Sequence, residues 1–202
     1  MRIGILGGTF NPPHLAHLVC AQEAYLQLSL EQVLLIPARV PPHKPVDEEP
    51  GIEHRLGMCR LAIAGDERFA VSDIEARRDG PSYTVDTIEA LHANQPESEF
   101  FLILGGDVAL GLAGWQEPER VMALATLAVA ERPGTTRAAV EDVLRQLPGG
   151  ERALFFDMPA IEISSTMLRE RARAGEPTRY LVPDAVRGYI DQHQLYGGSP
   201  RQ

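Results

Sequence analysis

The first seventeen residues constrain the fold more than any other stretch. They read Met1-Arg2-Ile3-Gly4-Ile5-Leu6-Gly7-Gly8-Thr9-Phe10-Asn11-Pro12-Pro13-His14-Leu15-Ala16-His17. A short apolar run passes straight into two glycines and two histidines, and then into apolar residues at helical spacing. Strand, glycine turn and helix together bring backbone N–H groups and a helix N-terminus to one place, which suits a phosphate. His14 and His17 face the same side of the first helical turn. The glycine pair alone specifies only a strand-to-helix turn. It is neither the G-x-G-x-x-G dinucleotide pattern nor a P-loop. Two histidines on one face would also suit a metal, but no third ligand and no zincin glutamate accompany them.

The rest of the chain continues the alternation. Apolar runs predict strands at 3–6, 33–36, 69–72, 100–104, 126–130 and 153–156. Helical spacing predicts helices at 15–28, 54–64, 83–93, 117–123, 138–147, 164–174 and 183–192, with Ser82 as candidate N-cap of the third. Strands alternating with helices imply an α/β fold: an open parallel sheet with helices on both faces and ligands at the carboxyl ends of its strands. At 202 residues the chain is expected to be one domain over 1–196, with a C-terminal helical segment at 164–196 and a flexible tail at 197–202.

Composition narrows the partners. A formal net charge of −9 argues against nucleic acid. No apolar run reaches membrane-spanning length. Met1-Arg2 is too short for the charged start of a signal peptide. Cys20 and Cys59 lack metal-site spacing and read as buried or half-buried thiols of a reducing, cytoplasmic compartment.

Four further constellations fall just past predicted strands or at helix starts. Pro41-Pro42-His43-Lys44 is an extended loop whose lysine is either solvated or swung over a phosphate. Pro81-Ser82-Tyr83-Thr84-Val85-Asp86-Thr87 is a good helix start. Gly105-Gly106-Asp107 puts a carboxylate past a buried strand, as a functional group or a cap, and Trp115, the single tryptophan, reads alone as core packing. Ile163-Ser164-Ser165-Thr166-Met167-Leu168-Arg169 opens a helix with serines and adds a guanidinium about one turn on. That is an anion site or a capped surface helix.

The Gly7–His17 stretch resembles the G-G-T-F-D-P-x-H-x-G-H motif of the nucleotidylyltransferase superfamily. The P-P-H-K loop, the P-S-Y-T-x-D-T and G-x-D…W elements and I-S-S-T-x-L-R narrow the resemblance to the nicotinate-nucleotide adenylyltransferases. The segment through Arg179-Tyr180-Leu181-Val182-Pro183-Asp184 carries it to Tyr196. The resemblance implies a Rossmann-like fold of nucleotidylyltransferase type. It implies transfer of AMP from ATP to nicotinate mononucleotide, giving nicotinate adenine dinucleotide and pyrophosphate. On this reading ATP is bound by Gly7, Gly8, Thr9, Phe10, His14, His17, Ser164, Ser165, Thr166 and Arg169. The mononucleotide is bound by Thr9, Lys44, Ser82, Tyr83, Thr84, Gly105, Asp107 and Trp115, with the indole stacked on the pyridine. His17, His14, Lys44 and Arg169 stabilise charge during transfer, and Mg²⁺ accompanies ATP without a metal site of the protein's own.

Three positions depart from the pattern. Asn11 stands for Asp, Ala16 for Gly with a methyl expected near the nucleotide, and Ala38 for Asn. His54-Arg55 matches a His-Arg pair of the family, and a solvated helix face explains it equally well. Nicotinamide mononucleotide or a phosphopantetheine-like acceptor, and a non-catalytic nucleotide sensor, are the competing readings. Self-association is left open.

Overall fold

The computed structural model describes residues 1–42, 50–131 and 134–197. Its strands are β1 (Arg2–Gly8), β2 (Gln32–Pro37), β3 (Phe69–Val71), β4 (Glu99–Gly105), β5 (Thr126–Glu131) and β6 (Leu154–Asp157). All pair in parallel in the order β3-β2-β1-β4-β5-β6. The chain winds outward from β1 through β2 to β3, and then outward the other way from β4. The order therefore reverses between β1 and β4, which makes their carboxyl ends the topological switch point where such sheets bind ligands. Each expected strand is present.

The helices are α1 (Leu15–Gln27), α2 (Ile52–Ala62), α3 (Thr84–Asn94), α4 (Gly106–Leu110), α5 (Pro118–Leu124), α6 (Arg137–Leu144), α7 (Ser165–Arg173) and α8 (Asp184–Gln192). The short α4 is absent from the sequence reading, because five residues carry no helical period. The helix expected to reach 147 stops at Leu144. Gly150 folds back there so tightly that a Cβ on it would collide with the Leu144 carbonyl.

Alternation along the strands feeds two cores. Ile3, Ile5, Leu34, Ile36, Phe100, Leu102, Leu104, Leu127 and Val129 meet α3, α5 and α6 on one face. Val33, Leu35, Phe101, Ile103, Ala128 and Ala130 meet α1 on the other. Gly4 belongs to that second face. A Cβ there would come within 2.9 Å of Leu30 and Ile103 side-chain atoms, so glycine lets these close over the central strand. A third cluster of Met58, Leu168, Val182, Val186, Ile190 and Leu195 fastens α7 and α8 to α2. The C-terminal segment is thereby carried back over the start of α1.

Both cysteines are free thiols, Cys20 half-buried and Cys59 buried. Burial pushes the Cys59 thiol up to about 12, against the opposing charges of Arg55 and Arg60. The thiolate is the reactive form. Alkylation of native protein near pH 8, followed by mass spectrometry, should therefore leave Cys59 unmodified until denaturant is added. Among the described residues no helix is long and apolar enough to cross a membrane.

Candidate active site

The loop from β1 to α1 holds the histidines by geometry that its own residues dictate. His14 is the extended N-cap of α1 (φ −143°, ψ 172°), and His17 is the third residue inside it. Their rings stack with centroids 3.7 Å apart and planes 25° apart. The His14 backbone N–H donates to His17 Nδ1 at 3.2 Å. An Nδ1 that accepts carries no proton, so neutral His17 holds its proton on Nε2 and offers an N–H donor there. Two imidazolium rings so close would repel by roughly 4 kcal/mol at an effective dielectric of 20. The stacked pair therefore favours at most one charge.

Phe10 lies under this pair. It takes a left-handed backbone (φ 49°), is 1% exposed, and meets the His17 ring edge-on at 4.9 Å. The Phe10 ring is thus part of the core packed against α1 and not a surface open to a nucleotide. Above Gly7 there is open space, with nothing within 4 Å of where a Cβ would stand. Gly8 is backed by the Phe10 ring. Ala16 is buried, so its methyl packs into protein and does not project toward a nucleotide.

The fifth constellation arrives on the same loop. Arg169 Nη1 donates to the Asn11 carbonyl at 2.9 Å and its Nη2 to Thr166 Oγ1 at 3.4 Å. Ser165 Oγ donates to the Pro12 carbonyl at 2.9 Å. Ser164 caps α7 by accepting from Met167 N–H at 3.2 Å. Leu15 N–H, at the start of α1, donates to the Leu181 carbonyl. The Tyr196 hydroxyl donates to Asn11 Oδ1 at 2.6 Å. Asn11 thus keeps the acceptor that an aspartate would offer here, without its charge. Tyr196→Phe removes that donor from a buried amide oxygen and is expected to cost about 1–2 kcal/mol. At about 2–4 °C per kcal/mol for a chain of this size, the melting temperature should fall by several degrees.

The residues expected to take the mononucleotide lie at the start of α3 and at and beyond the end of β4. Thr84 is the first residue of α3 and Tyr83 its N-cap, both half-buried. Ser82 is not the cap. It is buried, and its Oγ accepts from Arg39 N–H at 2.9 Å and Val40 N–H at 3.3 Å, while its own N–H donates to the Val40 carbonyl. That hydroxyl joins two loops and leaves little of itself for a ligand. Gly105 ends β4, and Asp107 is exposed in the first turn of α4. Trp115 is half-buried and rests, like Tyr83, on the α3–α5 core. Lys44 lies outside the described residues, as does His43.

Arg55 was open to a solvated reading, and that is overturned. Its side chain is 0% exposed, on the face of α2 that also buries Met58 and Cys59. Nη1 donates to the Thr9 carbonyl at 2.8 Å and Nη2 to the Arg39 carbonyl at 3.4 Å. The residue could have been found from sequence, since it sits at i relative to Met58 and Cys59 at i+3 and i+4. Among the described residues no group of three or more His, Cys, Asp or Glu comes together to hold a metal. A separate groove lined by Leu18, Val19, Ile63, Phe69, Ile163 and Tyr180 contains none of the candidate residues.

A model of the cytidylyltransferase-like family matches residues 5–171. A relative from Synechococcus sp. (strain JA-3-3Ab), named a probable nicotinate-nucleotide adenylyltransferase, is 46% identical over 197 residues, 96% of this chain and 94% of that protein. One of the same name from Salinibacter ruber is 43% identical, over 97% and 98% of the two chains. Among solved structures, the Plasmodium falciparum nicotinic acid mononucleotide adenylyltransferase complexed with NaAD superposes with a TM-score of 0.78 over 97% of each chain. At 21% identity that likeness is one of fold.

Proposed function

The chain belongs to the cytidylyltransferase-like family and, within it, to the nicotinate-nucleotide adenylyltransferases, and we propose from this premise that it transfers the adenylyl group of ATP to nicotinate mononucleotide, releasing pyrophosphate. The observation that carries the reading furthest is the stacked His14–His17 pair at the β1/β4 switch point, clamped from the C-terminal side by Arg169 and Ser165. These groups supply a fixed N–H donor and a cation where a polyphosphate would lie.

In this reaction the mononucleotide phosphate attacks the ATP α-phosphorus in line. A P–O bond forms to the attacking oxygen and the bond to the β-phosphate oxygen breaks. The attacking phosphate is already anionic at neutral pH, so no side chain need remove a proton. Catalysis then rests on alignment and charge stabilisation. His17 Nε2–H stabilises the α-phosphate oxygens as they gain charge, and His14 serves neighbouring oxygens. Arg169, Ser164, Ser165 and Thr166 hold the polyphosphate, together with backbone N–H groups of Gly7, Gly8, Thr9 and Phe10. Lys44 adds charge from the β2–α2 loop. Thr84, Tyr83, Gly105, Asp107 and Trp115 take the mononucleotide, and Ser82 acts behind them.

Mg²⁺ brought with ATP would supply further charge neutralisation to the pyrophosphate leaving group, beside the Arg169 guanidinium and Lys44. Free cysteines and small charged substrates suit a cytoplasmic enzyme.

Pyrophosphate release should be measured on mixing Mg·ATP with nicotinate mononucleotide, nicotinamide mononucleotide or phosphopantetheine. The highest kcat/KM is expected with nicotinate mononucleotide. Release with another acceptor alone would move the substrate assignment. ATP binding without release from any of them would leave a sensor.

A further inference from the structure

Behind the site runs a buried polar chain centred on Glu75, a residue that neither the motifs nor the proposed chemistry uses. Glu75 stands in the turn after β3, only 7% exposed. Thr87 Oγ1, in the first turn of α3, donates to its carboxylate at 2.8 Å. The Ser82 hydroxyl lies close enough to favour its charged form as well. Ser82 Oγ already accepts from Arg39 and Val40, which leaves its single proton for an acceptor on the Glu75 side. Arg78 Nη2 closes the ring, donating to the Tyr83 carbonyl at 3.2 Å and to Thr87 Oγ1 at 3.3 Å. On the other side, Arg55 joins the carbonyls of Thr9 and Arg39.

Hydrogen bonds run from the phosphate-binding loop through Arg55 and Arg39 to Ser82, and from Glu75 through Thr87 to the start of α3, with the Ser82 hydroxyl beside the Glu75 carboxylate. Burial raises the Glu75 carboxyl, opposed by the hydrogen bonds from Thr87 and Ser82 and by the charges of Arg78 and Arg55. A carboxylate in such a place is retained because several donors need it, since a lone buried charge is costly.

We propose that Glu75 is a positioning residue for the acceptor, setting the 80–84 segment and the N-terminus of α3 in register with the phosphate-binding loop that Arg55 ties down. The inference rests on the proposed reaction, in which Tyr83 and Thr84 take the mononucleotide. Glu75 touches neither substrate. It acts through Ser82 on one loop and through Thr87 on the helix.

Four proteins test this: wild type, Glu75→Gln, Glu75→Asp and Thr87→Val. Gln keeps the length but loses the charge and one acceptor oxygen. Val keeps the shape of Thr87 and removes only the hydroxyl. Initial rates of pyrophosphate release are measured with each substrate varied in turn, alongside thermal melting. Glu75→Gln and Thr87→Val should both raise KM for nicotinate mononucleotide at least fivefold while KM for ATP moves less than twofold, and Glu75→Asp should recover part of the loss. A general loss of structure would instead shift both KM values alike or lower only the melting temperature. Either pattern, or an unchanged mononucleotide KM, overturns the proposal. Should Glu75→Gln fail to fold, Thr87→Val gives the same split by itself. A wild-type protein that releases no pyrophosphate would defeat the reaction itself and this inference with it. An active wild type with unmoved variants defeats the inference alone.

Discussion

His17→Ala should lower turnover by about 10²–10³-fold while ATP affinity changes only a few-fold, because the mutation removes one preorganised donor aimed at developing charge. The argument turns on the tautomer. His17 Nδ1 accepts from the His14 backbone, so the neutral ring presents Nε2–H outward from that bond. The ring cannot serve as a base at Nε2 while the proton is there, and the attacking phosphate needs none. What the ring offers is a donor whose direction is set by the helix and by the stacked His14 ring. On the proposed reading the ground-state triphosphate would keep its other partners on the 164–169 segment, which is why binding should suffer less than kcat. His17→Gln, which can present an amide N–H, is expected to recover part of the rate where His17→Ala does not. Steady-state kinetics with ATP-analogue titration separates the two effects. Near-normal turnover in His17→Ala would remove the residue from the chemistry.

Much of this was legible in the sequence, and the reason is local. The strands are short runs of β-branched and aromatic residues bounded by turn signals, and the helices carry their own period. The order of strand and helix then left few arrangements, and the switch point followed from the parallel sheet. The histidines and the 164–169 serines were legible because helix starts announce themselves. What was not legible depends on partners far along the chain. Ser82 reads as a cap to its neighbours, yet its hydroxyl meets Arg39 and Val40, more than forty positions away by the spacing of the two segments. Glu75 carries no local cue at all. Arg55 was visible on the apolar face of α2, but charge suggested solvent. The carbonyls of Thr9 and Arg39, which make its burial tolerable, cannot be read from its own helix.

Phe10→Ala should be the most damaging of these changes to stability and should lower the rate as well, though Phe10 offers no reactive group. Its ring is 1% exposed among Leu6, Ala21, Ala24 and Leu28, where the loop crosses the α1 face of the sheet. Truncating such a ring costs about 3–5 kcal/mol, through lost burial and the cavity left behind. For a chain of this size that corresponds to a fall in melting temperature on the order of 10 °C. The edge-on contact with His17 adds roughly 0.5–1.5 kcal/mol, and it also limits how far the imidazole can tilt. Alanine would occupy the same left-handed backbone (φ 49°) with nothing gained in return. Phe10→Leu separates the two roles: it should restore most of the stability, since the volume is largely refilled, but less of the turnover, since the flat edge against His17 is gone. Melting curves and kcat measured well below the lower melting temperature decide the matter. If Phe10→Ala turns over normally while folded, the ring only fills space. If kcat falls in Phe10→Ala and stays low in Phe10→Leu, the aromatic of the glycine loop acts as the wall that holds the donor of His17 in line.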